Sequence, residues 1–253
     1  MANAIARNRD HSSTPPAPAP GLVAAYARVR AHTQAIIAPL SAEDCQVQSM
    51  PDASPIKWHL AHTTWFFETF ILEPFPARTG GYRTFDPAFK VLFNSYYNTV
   101  GAKHPRPERG LLSRPSLERV LAYRAHVDAA MHDLLADEVS AASVRQLVTL
   151  GLNHDQQHQE LMLTDLKHML SVNPLSPVYR ERASANAAVL AIGPQWSSLA
   201  GGLVEIGHAG EHFAFDNESP RHQVFLRPYQ IANRLVTNLN SFVCSGPIAC
   251  IAS

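Results

Sequence analysis

Apolar residues recur at helical spacing in four stretches of the chain, and prolines punctuate them. The first stretch, LVAAYARVRAHTQAIIAPL after Gly21, sets Leu22, Tyr26, Val29 and Ile36 near one face of a 3.6-residue repeat, and Pro39 closes it. The second follows Ser54-Pro55, which reads as an N-cap and a first-turn proline, and runs IKWHLAHTTWFFETFIL to about Pro74. The third starts near Pro115-Ser116, and its Leu117, Val120, Leu121, Arg124, Val127, Ala130, Met131 and Leu134 share one mostly apolar face. The fourth begins near Ser143 and continues to about Leu170. Its expected buried line passes through Leu147, Leu150, Gly151, Leu161 and Thr164 or Asp165, with His154 and His158 on it.

Between the second and third stretches lies a connection from Pro74 to Arg114 that contains FNSYYNTVGAKHPRPERG. A connection of that length is unusual between neighbouring helices and often carries function. Four helices with one long crossover predict a four-helix bundle, a fold that builds metal sites from inward-facing side chains. After Asn173 the pattern changes. Residues 174–195 read as a linker, and 196–253 carry short β-like runs broken by Gly, Asp-Asn and Pro. The expected organisation is a flexible arm over 1–21, a helical domain over 22–173, a linker, and the opening of a β-containing domain. The fold class is therefore mainly α, with a β-containing segment at the end.

Composition narrows the function. The chain has 253 residues, with 21 basic and 21 acidic side chains and a formal net charge of zero. That balance gives no electrostatic footprint for nucleic acid or an acidic membrane, and no run of residues is apolar enough to span one. The three cysteines, Cys45, Cys244 and Cys250, form no CxxC pair, which argues against a disulfide framework or a cysteine zinc site and for a cytoplasmic setting. Thirteen histidines are many for this size.

Two of them carry the candidate chemistry. His154 and His158 in LNHDQQHQELML stand four residues apart, so one helix face can turn two imidazoles toward one ion. The motif lacks the order of HExxH, which excludes the zincin arrangement. An HxxxH pair also arises without any ligand, as hydrogen-bonded or solvent-facing histidines. The second helix adds His59 and His62 in WHLAHTTWFFE. His62, with Trp65, Phe66 and Thr69 on its face, is the better inward candidate, whereas His59 is expected to face the next helix or solvent. The competing reading of His62 is a core histidine bonded to a carbonyl or to Glu160. Three protein nitrogens would leave coordination positions open, as in a catalytic site.

WHLAHTTWFFETF, HDQQHQE, KHPRPERG and GGLVEIGHAG…FDNESPRHQVFL together resemble the ergothioneine-pathway sulfoxide synthases of the EgtB type, over roughly residues 22–240. The resemblance implies a DinB-like four-helix bundle, followed by the truncated start of a formylglycine-generating-enzyme-like (sulfatase-modifying-factor, C-type-lectin-like) domain. It implies a mononuclear non-haem iron(II), Fe(2+), held by His62, His154 and His158. It also implies small-molecule substrates: hercynine, dioxygen, and cysteine or γ-glutamylcysteine, joined by a new C–S bond and oxidised to a sulfoxide. Gln157 matches a position at the metal-site water or the hercynine imidazole, and Arg106 and Arg109 match a pair that grips the thiol substrate's carboxylate. Bidentate guanidinium pairing suits that task.

The family pattern is interrupted after about Thr237, where NLNSFVCSGPIACIAS departs from it. The resemblance places a catalytic tyrosine in the remainder of the second domain, so no catalytic residue is assigned, and Tyr229 does not match its position. An active synthase and an inactive fragment both fit this reading. Two other readings remain: a DinB-like metal-dependent thiol S-transferase, which would need neither the arginine pair nor the β segment, and a non-catalytic helical module.

Overall fold

The computed structural model describes residues 21–75, 79–95, 101–136, 142–181 and 195–235. The arm before residue 21, Cys244, Cys250, the divergent tail and residues 182–194 of the expected linker lie outside the described residues. The chain divides into two compact units, Met1–Glu181 and Arg182–Ser253.

The first unit is a helical bundle. Its helices are α1 (Leu22–Ile37), α2 (Ile56–Phe67), the short α3 (Phe89–Leu92), α4 (Leu117–Ala136) and α5 (Ala142–Ser171). The four long helices are those the apolar spacing predicts, to within a few residues at each end. Helix α2 packs on α4 and α5, and α1 packs on the same two. Every residue of α2 is buried. A helix apolar nearly all round must be covered on all sides, and the long connection supplies the cover that α4 and α5 do not. Ser54 does not cap α2; Pro55 holds the N-cap position with no side-chain hydrogen bond. The Ser54 amide and hydroxyl are instead committed to Asp165 and Arg109.

Helix α2 ends in a π-helical turn, Glu68–Leu72, in which the Glu73 amide donates to the Glu68 carbonyl. The turn aims the buried Glu68 carboxylate at the connection. It accepts from the Tyr82 and Tyr123 hydroxyls, each at 2.5 Å, and from the Phe85 amide at 3.0 Å. One carboxylate thus ties the connection and α4 to the end of α2. A buried carboxylate requires several donors of this kind.

A second polar tie crosses the whole bundle. Arg30 of α1 reaches Asp128 of α4 at 2.7 Å, Asp155 of α5 at 3.1 Å and Thr64 of α2 at 3.1 Å. Thr33 donates to the other Asp155 oxygen at 3.1 Å, and Tyr26 donates to Asp128 at 2.6 Å. Asp155 is fully buried and Arg30 nearly so.

These bonds set the rotation of α5, and the result differs from the expected buried line. The buried residues are Val144, Val148, Gly151, Leu152, Asp155, His158, Gln159, Met162, Asp165, Leu166 and Met169. Leu161 and Thr164 are exposed, His154 lies at the margin of the stripe, and His158 lies within it. The helix is rotated by about one residue because Asp155 and Gln159 have partners in the core. Gly151 lets α5 approach α2 closely: a Cβ there would lie 2.7 Å from the Phe67 ring and 2.9 Å from the Phe66 ring.

The second unit contains two antiparallel pairs. Strand β1 (Trp196–Leu199) pairs with β4 (Tyr229–Ala232), and β2 (Gly202–Ile206) pairs with β3 (His222–Leu226). This matches the expected β-containing segment. No helix among the described residues is long and apolar enough to cross a membrane.

Two substitutions test this packing. Arg30→Ala should lower unfolding stability by about 3–5 kcal/mol, because it leaves Asp155 buried without its closest counter-charge. Gly151→Ala should also destabilise: overpacking of about 1–3 kcal/mol outweighs a helix-propensity gain of just under about 1 kcal/mol. Urea denaturation followed by circular dichroism reads both, and unchanged midpoints would contradict the account.

Candidate metal centre

Three of the predicted side chains meet. One nitrogen from each of His62, His154 and His158 lies within 4.8 Å of the others. The three ring centroids are 4.6–5.0 Å apart. Helix α5 brings His154 and His158 to one side, since residues four apart share a face. Helix α2 brings His62 across from them.

The surroundings orient each ring. The His62 Nδ1–H donates to the Phe93 carbonyl at 2.6 Å, a contact that fixes the proton on Nδ1 and leaves Nε2 with a free lone pair. Phe93 follows directly on α3, and the preceding carbonyl, Leu92, accepts from the Trp58 indole at 3.2 Å. The last carbonyls of a helix have no partner within it, so the short helix in the connection presents its free end to two residues of α2. Trp58 and Trp65 stack on His62 at 4.5 Å and 5.5 Å, nearly parallel to it. The competing reading of His62 as a carbonyl-bonded core histidine accounts for only one of its nitrogens. Glu160 is exposed.

His59 is turned to a neighbouring helix rather than to solvent: it is buried against α5, with Nδ1 2.8 Å from Nδ1 of His158 and Nε2 3.1 Å from the Asp165 carboxylate. Gln159 also faces away from the ligand side: its amide donates to Val29 O and Thr33 on α1, and its carbonyl oxygen lies 3.0 Å from the His32 ring.

The arginine pair lies in the connection, in a 3₁₀ turn over Arg106–Leu111. Arg109 is buried. It donates to Ser54 at 2.9 Å and to Ser95 at 3.2 Å, and its guanidinium lies 3.4 Å from the Trp58 ring centre. So close an approach leaves no room for His62 on the same indole face. Arg109, Trp58, His62 and Trp65 therefore form one stacked column. Arg106 is partly exposed on the same turn, and Gln157 is exposed on α5 beside His158.

Burial makes these imidazoles hard to protonate. It pushes His62 and His158 well below the usual histidine range, with neighbouring histidines and Arg109 adding to the effect. It pushes His154 down to about 4. Neutral imidazole is the form that binds metals. The Nδ1 of His154 is out of water and has no hydrogen-bond partner among the described residues. A buried polar atom left alone inside a cluster of neutral nitrogens is costly. A cation coordinated there would remove that cost, so the donor set suits a borderline metal ion such as iron(II) or zinc(II).

Residues 25–162, more than half of the chain, match the DinB superfamily, and the chain belongs to that superfamily. Its bundle and its histidine cluster lie within or against that span. The chain is also similar to a hercynine oxygenase of Mycolicibacterium thermoresistibile, with 26% identity over 193 residues. The similarity covers 74% of this chain but 40% of that protein's length. Together these findings support the resemblance to EgtB-type sulfoxide synthases. Sequence reasoning did not find the roles of Trp58, His59, Phe93 and Asp165. The only signal for His59 was its three-residue spacing from His62.

The depressed histidines predict an acid-sensitive metal-free bundle. Unfolded imidazoles take up protons near their ordinary value of about 6.5, while in the folded state His154 resists until about 4. Between those values the unfolded chain binds more protons, so stability is complete above the upper one and falls as pH drops through the window. The urea midpoint of the metal-free protein should fall between about pH 6.5 and about pH 4, and His154→Gln should flatten that slope. A profile already flat in the unsubstituted protein would contradict the burial argument.

Proposed function

We propose that this chain carries the metal centre of an iron(II)- and dioxygen-dependent sulfoxide synthase. In this reading it joins hercynine to cysteine or γ-glutamylcysteine through a C–S bond. The observation that carries it is the convergence of His62, His154 and His158, with Arg109 stacked one ring away.

His62, His154 and His158 would hold the iron. When bound, iron(II) would supply the redox chemistry with dioxygen that converting an imidazole C–H to a C–S bond requires. The chain's own residues do the rest. Three neutral ligands leave the ion's positive charge uncompensated, which favours a thiolate over a thiol nearby. Arg109 and Arg106 offer guanidinium groups to the thiol substrate's carboxylate. Ser54, Ser95 and Trp58 hold Arg109 in place, so the substrate would be oriented before reaction rather than during it. In this reading Gln157, exposed beside His158, would meet the hercynine imidazole. The β-containing unit would be the start of a lectin-like domain of the formylglycine-generating-enzyme type. A cytoplasmic setting completes the reading, in keeping with a cysteine-poor chain.

An anaerobic titration with iron(II), followed by calorimetry with zinc(II) as comparison, tests the centre. One tight site per chain is expected. His158→Ala should weaken binding by at least about tenfold, since it removes a ligand outright, and helical circular dichroism should persist. Adding hercynine, a thiol and oxygen to the loaded protein then separates an active synthase, which yields the sulfoxide, from an inactive metal-binding fragment. A chain that binds no iron, or a His158→Ala variant that binds it equally well, would sink the reading.

A further inference from the structure

Beyond the three ligands, α2 and α5 share a second set of buried polar side chains. The Asp165 Oδ2 accepts the Ser54 amide at 2.9 Å and stands 3.1 Å from His59 Nε2. His59 Nδ1 stands 2.8 Å from His158 Nδ1. Both histidines are buried, so water does not intervene to relax these contacts. Nothing in ordinary core packing requires two imidazoles to meet nitrogen to nitrogen over an adjacent carboxylate.

With both imidazoles neutral, the form in which histidine binds a metal, proton placement along this chain has one solution. A carboxylate only accepts, so His59 must present N–H at Nε2. A neutral imidazole carries one N–H, so His59 Nδ1 holds a lone pair. Two lone pairs cannot face each other at 2.8 Å, so His158 must present its proton at Nδ1. That leaves the lone pair of His158 on Nε2.

We infer that Asp165 and His59 are positioning residues for the metal centre: the carboxylate sets the His59 tautomer, and His59 receives the Nδ1 proton of His158 so that the His158 Nε2 lone pair is fixed toward the ion. The inference rests on reading His62, His154 and His158 as ligands. It assigns His158 a two-step support, whereas His62 takes its orientation from a single backbone carbonyl, that of Phe93. A hydrogen-bonded carboxylate behind a ligating histidine raises its basicity and holds its ring. Asp165 does this through an intervening ring, and the Ser54 amide holds Asp165 in turn.

Cobalt(II) titration of the full chain, read by its visible d–d absorption, tests the arrangement. His59→Leu leaves the His158 Nδ1–H without an acceptor, and affinity should fall about 10–100-fold. His59→Asn places a carbonyl oxygen near the lost Nδ1 and should recover most of that loss. Asp165→Leu should lower affinity and shift the absorption bands even at saturating cobalt. Met131→Ala, a core truncation on α4, which supplies none of the ligands or their supports, should lower the melting temperature but leave affinity and spectrum alone. Wild-type affinity and bands in both His59→Leu and Asp165→Leu would overturn the inference. If His59→Leu does not fold, the pair His59→Asn and Asp165→Leu decides it: equal affinity in the two would count against it. An unsubstituted chain that binds no cobalt would remove the metal centre itself, an outcome distinct from intact binding that ignores Asp165.

Discussion

The bundle depends on one buried charge set. Arg30 touches Asp128, Asp155 and Thr64, and so joins all four long helices through a single guanidinium. Such a set adds little net stability over an apolar core of the same shape, because desolvation offsets the attraction. Its effect is on geometry. Any rotation of α5 that pulled Asp155 away would strand a charge in the core, and that penalty is steep. Asp155 lies directly after His154 and one turn before His158 and Gln159, so fixing Asp155 fixes the angle at which both histidines meet α2. Gly151, one turn earlier, sets the distance by admitting the Phe66 and Phe67 rings. Angle and distance together place the three imidazole nitrogens within reach of one ion.

The long connection is part of the site rather than a tether. It lays the free carbonyl end of α3 against Trp58 and His62, and it returns Arg109 to the opposite face of Trp58. The Glu68 carboxylate anchors its first part through Tyr82 and Phe85. Ser54 links the two sides of the centre, since its hydroxyl holds Arg109 and its amide holds Asp165. Ligand orientation and the arginine turn are thus coupled through one short stretch before α2. This explains why a serine that looks like a helix cap serves neither of the first-turn amides.

The four helices were legible because each buries a face, and burying a face imposes a 3.6-residue spacing that survives in the sequence. The cluster of His62, His154 and His158 was legible in part for the same reason: helical spacing alone pairs His154 with His158. The choice of His62 as third member rested on its aromatic face and on the family resemblance. The spacing of His59 left both a neighbouring helix and solvent open to it; burial of every side of α2 leaves only the helix, and it packs on α5. Spacing alone does not say whether a buried amide such as Gln159 turns to the ligands or to α1.

The sequence by itself determined that the chain is mainly helical, with a β-containing segment after it, and that two histidines share a helix face. Those properties follow from local periodicity. Only the tertiary structure decided which polar residues enter the core. The rotation of α5, the Asp165–His59–His158 alignment and the Arg109–Trp58–His62 column each join residues far apart in the chain. Their positions depend on which buried donor finds which acceptor, and a buried polar group carries no periodic signal of its partner. The partner exists only once the helices have packed.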